Sequence, residues 1–248
     1  MADPDGVPPT EPDPVLLARV FGDGAAQARR YVELLRGPGI VRGLLGPREA
    51  DRLWDRHVLN SVVVQELVPA GATGVDVGSG AGLPGIPVAI ARPDVRVTLV
   101  EPLERRTVFL AEVIAELGLA NCRVVRGRAE QVVAEVGGAD VALSRAVAPL
   151  GRLAGWCAPL LRPGGLLLAL KGSSAGDEID RDRDEVARTG LRDVEVVTVG
   201  ADVVVPAVHV VRAVRDERSP AGGAKRHRRA GRGSTGDLGR GRGSGRTA

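Results

Sequence analysis

Residues 73–90, TGVDVGSGAGLPGIPVAI, carry the densest set of groups able to do chemistry, and two spacings overlap there. Gly80-x-Gly82-x-x-Gly85 fits the GxGxxG of dinucleotide sites, a weak signal on its own. Asp76-x-Gly78-x-Gly80-x-Gly82 instead sets a carboxylate two residues before the first glycine. Glycines admit positive φ and let the backbone approach a ligand where a Cβ would clash. A following helix would offer free N–H groups and the positive end of its dipole. An acid at Asp76 suits a cationic group, such as the amino group of S-adenosylmethionine, and repels a pyrophosphate. Adenosylmethionine is the favoured ligand. NAD or FAD is the alternative, and a bare strand–helix turn is the reading without a ligand.

Further candidates stand where apolar runs end. Glu101 lies nineteen positions after Gly82, the distance at which an acid takes both ribose hydroxyls of an adenosine ligand. Glu130, or the backbone beside it at Ala129, is placed to meet an adenine edge, and Arg145 and Lys171 follow the next two runs. Each acid alone fits a solvated strand end, but three behind one glycine turn favour a shared site. Arg145 and Lys171 are candidates for orienting bound ligands, or else surface cations. His57, in WDRHVLNS, is the remaining candidate, and a lone helical histidine is more often structural.

The elements that must position these groups alternate. Strands are predicted over 74–77, 95–100, 122–125, 140–143, 166–170, 194–199 and 208–214. Helices are predicted over 86–91, 105–117, 131–136, 151–161 and 178–188, with Gly118 as a cap and Arg162-Pro163-Gly164-Gly165 as a turn. Upstream, helices fit 15–21, 25–35 and 48–67, Gly37-Pro38-Gly39 breaks the pattern, and Leu53, Trp54, Val58 and Leu59 form a buried stripe. Apolar strands alternating with helices imply an α/β, doubly wound, mostly parallel Rossmann-like sheet with N-terminal helices, its ligand at the carboxyl ends of the strands.

Composition narrows the class. The chain has 248 residues, enough for a sizeable core, and its two cysteines, Cys122 and Cys157, have no metal spacing. With three histidines in all, no metal site is expected, and both thiols read as reduced core residues. No signal-type segment or membrane-length apolar run occurs, so a soluble, cytoplasmic protein without membrane contact is expected. From Arg215 onward ten Lys or Arg face Asp216, Glu217 and Asp237, a net of +7. Because the whole chain is +3, the remainder is about −4. Residues 1–14 and the Gly/Arg-rich 215–248 are expected to be disordered, flanking a domain over 15–214 whose helical extension is 15–70. A basic arm either adds affinity for nucleic acid or merely solubilises.

DVGSGAGLPGIPVAIARP, RGRAE, SRAVAPL and ALKG, with WDRHVLNS upstream, resemble the bacterial 16S ribosomal RNA guanine-N7 methyltransferases, the glucose-inhibited division protein B family. The likeness covers roughly residues 15–214 and implies a class I methyltransferase fold. It implies S-adenosyl-L-methionine as cofactor and 16S rRNA or the assembling small subunit as partner; a monomer is expected. On the resemblance, Gly78, Leu83, Ala129, Glu130 and Arg145 fall on cofactor-contacting positions, joined by Gly80 and Glu101 from the reading above. Lys171, in ALKG, falls near the RNA face, and His57 is a second RNA-facing candidate. One departure is Arg42-Gly43-Leu44-Leu45, where many members carry Asn-Leu-Thr.

The residues after the fourth strand agree with an N7 acceptor. Ser144-Arg145-Ala146-Val147 is not the Asn/Asp-Pro-Pro-aromatic motif of exocyclic-amine methylation, and Cys157 sits mid-helix rather than as a nucleophile. Guanine N7 has an exposed lone pair and needs no deprotonation, so no catalytic acid or base is assigned. Two other classes stay open at this point: an NAD-dependent oxidoreductase, and a non-catalytic RNA-binding protein.

Overall fold

A computed structural model describes residues 11–217 apart from Ala146. Of the segments expected to be disordered, 1–14 and 215–248, residues 1–10 and 218–248 lie outside the described residues, while Arg215 is the buried last residue of a strand, Val208–Arg215. Helix α1 (Pro14–Phe21) begins one residue inside the stretch expected to lack structure, because the Asp13 carboxylate accepts the Val15 N–H at 2.7 Å and Pro14 fits a first helical turn. It is followed by α2 (Ala25–Leu34).

Gly37-Pro38-Gly39 does not end that helix. The chain widens into a π-helical turn over Leu35–Gly39 and continues. The wider turn accommodates a proline that would clash in regular α-helix, and the bare Gly39 lies against Phe109. Residues 47–67 are helical throughout but not uniformly so. A 3-10 stretch (Pro47–Arg52), a π stretch (Leu53–Leu59), the α turn α3 (Asn60–Val62) and a second 3-10 stretch (Val63–Leu67) follow one another. Leu53, Trp54, Val58 and Leu59 are all buried, as their spacing implies.

The sheet comprises β1 (Thr73–Val77), β2 (Arg96–Glu101), β3 (Cys122–Arg126), β4 (Ala139–Arg145), β5 (Leu161–Lys171), β6 (Leu191–Val199) and β7 (Val208–Arg215). Between them run α4 (Gly85–Ala91), α5 (Glu104–Leu117), α6 (Val133–Val136), α7 (Leu150–Cys157) and α8 (Ala175–Arg188). Strand order is β3-β2-β1-β4-β5-β7-β6, parallel except where β7 pairs with β5 and β6. The turn expected at residues 162–165 is a bulge inside β5. Ala139 faces Leu161 and Val141 faces Leu166, so the intervening residues loop out at Gly164 with φ +74°.

Successive strand residues feed opposite cores, as a sheet covered on both faces requires. Leu168 and Leu170 join a core with Tyr31, Leu53, Ile86 and Leu110, whereas Leu167 and Ala169 join one with Leu153, Cys157 and Val186. The N-terminal helices therefore share the first core with the sheet rather than forming a body of their own. No helix among the described residues is long and apolar enough to cross a membrane.

Candidate active site

The topology puts one group after another along the carboxyl edge of the sheet. In spatial order these are Ala129 and Glu130 after β3, Glu101 at the end of β2, Gly78 after β1, Arg145 ending β4 and Lys171 ending β5. A cleft of about 670 Å³ opens over the first five, and Gly80, Leu83 and His57 also line it.

The glycine turn is shaped by packing from below. Gly82 has φ +103°, and a Cβ there would meet Ile86 and the Tyr31 hydroxyl. Tyr31 is fully buried, and its O–H donates to the Ala81 carbonyl at 2.9 Å, so α2 pins the turn. Gly78 has φ +72° and faces Val147, whose methyls lie 2.9 Å from where a Cβ would sit.

Asp76 does not reach the cleft. It is 0% exposed, and Oδ2 accepts the Gly85 N–H at 3.1 Å while Oδ1 has no partner. Burial pushes its carboxyl up to about 7, with the Gly85 hydrogen bond pulling back only in part. The expected meeting of Asp76 with a cationic ligand group is thus replaced by an internal role. The carboxylate holds the first amide of α4, which leaves that amide unavailable to a ligand.

Glu101 is the acid that faces the cleft. It is 1% exposed, Oε2 accepts the Gly80 N–H at 3.0 Å, and Oε1 accepts the Leu103 N–H at 3.0 Å. Arg106 approaches it at 3.6 Å. Ala129 is buried and Glu130 exposed, so this end offers backbone at one position and a solvated carboxylate at the next.

Arg145 ties the sheet to the N-terminal helices. Its guanidinium donates to the His57 carbonyl (3.0 Å), Ser61 Oγ (2.7 Å), the Arg56 carbonyl (2.9 Å) and His57 Nδ1 (3.1 Å). Burial lowers its pKa without discharging it. His57 is 8% exposed and its Nε2 lies 2.6 Å from Glu49. Lys171 is also beneath the surface, its ammonium donating to the Ala148 carbonyl (2.8 Å) and to Glu178 (2.7 Å). Both RNA-facing candidates therefore have carboxylate partners inside the fold.

The residue pattern did not single out Leu44, Leu45, Leu103, Arg106 or Trp156, all of which line the cleft. Leu44 and Leu45 belong to the segment that departs from the family pattern. A ledge at Leu103 could have been read from its place just after Glu101-Pro102; nothing local marks the others. Cys122 and Cys157 are free and buried, the former pushed up to about 12 by burial, so neither is a nucleophile.

The cradle suits S-adenosylmethionine. Glu101 is fixed for a diol, Gly78 lines the cleft without a side chain, and the apolar Leu83 and Leu103 on its wall can take a flat base. The family model described as rRNA small subunit methyltransferase G (GidB) matches residues 25–205. The chain belongs to this family. Relatives named ribosomal RNA small subunit methyltransferase G agree with that placement. The one from Mycolicibacterium gilvum is 53% identical over 219 residues, 86% of this chain and 96% of its own. That from Rhodococcus jostii is 55% identical over 216 residues, 86% and 95%. Among solved structures, a SAM-dependent methyltransferase from Aquifex aeolicus shares the fold at a TM-score of 0.50 and 19% identity, covering 68% of this chain and 98% of that one. A SAM-dependent O-methyltransferase from Thermotoga maritima does so at 0.50 and 13%, covering 64% and 66%. The fold is thus that of class I methyltransferases, and membership of an rRNA methyltransferase family supports neither the oxidoreductase nor the non-catalytic reading.

Proposed function

We propose that this protein methylates N7 of a guanine in 16S ribosomal RNA, with S-adenosylmethionine as donor. What carries the reading is the buried Glu101 carboxylate held against the Gly80 amide beside an open cleft, in a chain of this family. Glu101 takes the ribose hydroxyls, Ala129 and Glu130 meet the adenine edge, and Leu83 packs on the base. Gly78, Gly80 and Arg145 border the methionine end.

When bound, the cofactor supplies a sulfonium methyl to which guanine N7 adds its lone pair, the C–S electrons returning to sulfur. This chain's share is placement. Aligning two reactants removes up to about 7–11 kcal/mol of barrier, and no residue has to take a proton. Arg145, fastened to the helical run at residues 56–61, keeps the wall of the cleft rigid and its end positive. His57 and Lys171 support the RNA side from beneath.

The reading also carries a cytoplasmic site of action, a monomeric enzyme, no metal, and 16S rRNA or an assembling subunit as substrate. Incubating purified protein with labelled adenosylmethionine and 16S rRNA or small subunits tests it. Label confined to one N7-methylguanosine is expected, and label in another nucleotide contradicts the reading.

A further inference from the structure

A second cleft, of about 890 Å³, adjoins the first and shares Arg145 and Val147 with it. It continues the same row of strand ends. It begins at Arg145 on β4, passes Lys171 on β5 and reaches His209 at the start of β7, which pairs with Lys171 in register. Given the assigned reaction, adenine lies at the β3 end of this row and the methionine at the β1–β4 end. The methyl acceptor then has to come from the β5 side, which is this second cleft.

Its wall holds polar groups with bonding capacity to spare. Among the described residues the His209 ring has no hydrogen-bond or ion-pair partner, and the Arg56 guanidinium only approaches Glu49 at 3.8 Å. Asn60 makes one weak bond, Nδ2 to the Arg56 carbonyl at 3.3 Å. That bond matters because a carbonyl can only accept. The amide N–H₂ faces Arg56, and turning it over would set Oδ1 against that carbonyl oxygen, which favours this way round.

We infer that this second cleft receives the target guanosine and that Asn60 reads its base. N7 has to remain free for the methyl, so recognition falls to the neighbouring edge, O6 and N1–H. A fixed amide matches that edge with two bonds: the second Nδ2 hydrogen to O6, and N1–H to Oδ1. Adenine presents the opposite pattern there, a donor at N6 and an acceptor at N1, and the amide cannot turn over without losing the Arg56 carbonyl. His209 supplies a second polar contact from β7. The inference rests on the proposed reaction.

The test uses the full chain and rRNA assembled by ligation with inosine or 2-aminopurine at the methylated position. Inosine keeps O6 and N1–H, 2-aminopurine has neither, and both keep N7. With S-adenosylhomocysteine present, the wild type should bind the inosine RNA about tenfold more tightly, as expected for one paired edge contact. Asn60→Ala should bring that ratio close to one while cofactor affinity and the unfolding midpoint stay unchanged. His209→Ala should weaken RNA binding about fivefold. A ratio unaltered by Asn60→Ala, in a folded variant that binds cofactor normally, overturns the proposal, as does unchanged RNA affinity in both variants. Wild-type protein that binds cofactor but methylates no rRNA guanine would sink the assigned reaction, and this inference with it.

Discussion

Arg145 donates to Nδ1 of His57 at 3.1 Å, joining residues 88 apart in the chain. A guanidinium can only donate, so Nδ1 carries the lone pair and the proton sits on Nε2, donated to Glu49. Burial lowers the His57 pKa, which keeps the ring neutral. With both nitrogens engaged, His57 is expected to take no proton in the reaction. The single-turnover transfer rate should be flat from about pH 6.5 to 8.5, at saturating RNA and cofactor. A rate limb that disappears in His57→Ala would make His57 catalytic.

Removing the other partner should be costly. Arg145→Ala leaves Ser61 Oγ and His57 Nδ1 without their donor and takes one donor from each of the Arg56 and His57 carbonyls, and should lower stability by about 1–3 kcal/mol in urea unfolding. Cofactor affinity should weaken with it, and the pH profile should keep its shape. Arg145→Lys should not rescue the loss, because one ammonium cannot reproduce a planar fork. Full rescue by lysine would reduce Arg145 to a simple charge.

Much of this arrangement was legible from residue order, and the rest was not for identifiable reasons. Valine-rich strands alternating with helices give the sheet, and Glu101 follows its glycines at a fixed interval. The Arg145 contacts could not be read, because they depend on how residues 56–61 pack against β4. The inward turn of Asp76 was hidden too, since sequence gives the end of a strand but not the neighbour of its last carboxylate. Pro38 implies a break because a proline blocks an α-helix, whereas the π turn found there admits it.

Gly78→Val should abolish cofactor binding. The position has φ +72°, which a β-branched residue resists, and its side chain would drive into Val147. Calorimetry on the folded variant decides. Unchanged affinity would move the binding site elsewhere.

Asp76 should make stability fall as pH rises. Its carboxyl is near 7 in the fold and near 3.8 otherwise, so between those values the unfolded chain ionises while the folded one does not. The penalty grows from about pH 4, levels off above about 7 and amounts to roughly 4 kcal/mol in full. Asp76→Asn keeps an acceptor for Gly85 without the titration. Urea unfolding at pH 5 and pH 8 should show a loss of roughly 2–3 kcal/mol in the wild type that is absent from the variant. Parallel losses would mean that Asp76 is charged in the fold.

Residues 219–248 carry eight Lys or Arg and one acid, Asp237. Deleting them should leave the unfolding midpoint and cofactor affinity unchanged. RNA affinity should drop and depend less steeply on salt, because fewer counterions are released. Identical salt slopes for both proteins would make the segment a passive appendage.

The most direct measurement is mass mapping of methylated guanines in 16S rRNA from cells with and without this gene. One N7-methylguanosine should vanish when the gene is removed. It should return with the wild-type gene and stay absent with the Gly78→Val form. An unchanged methylation map, or the loss of a methyl from another atom or another base, would contradict the assignment.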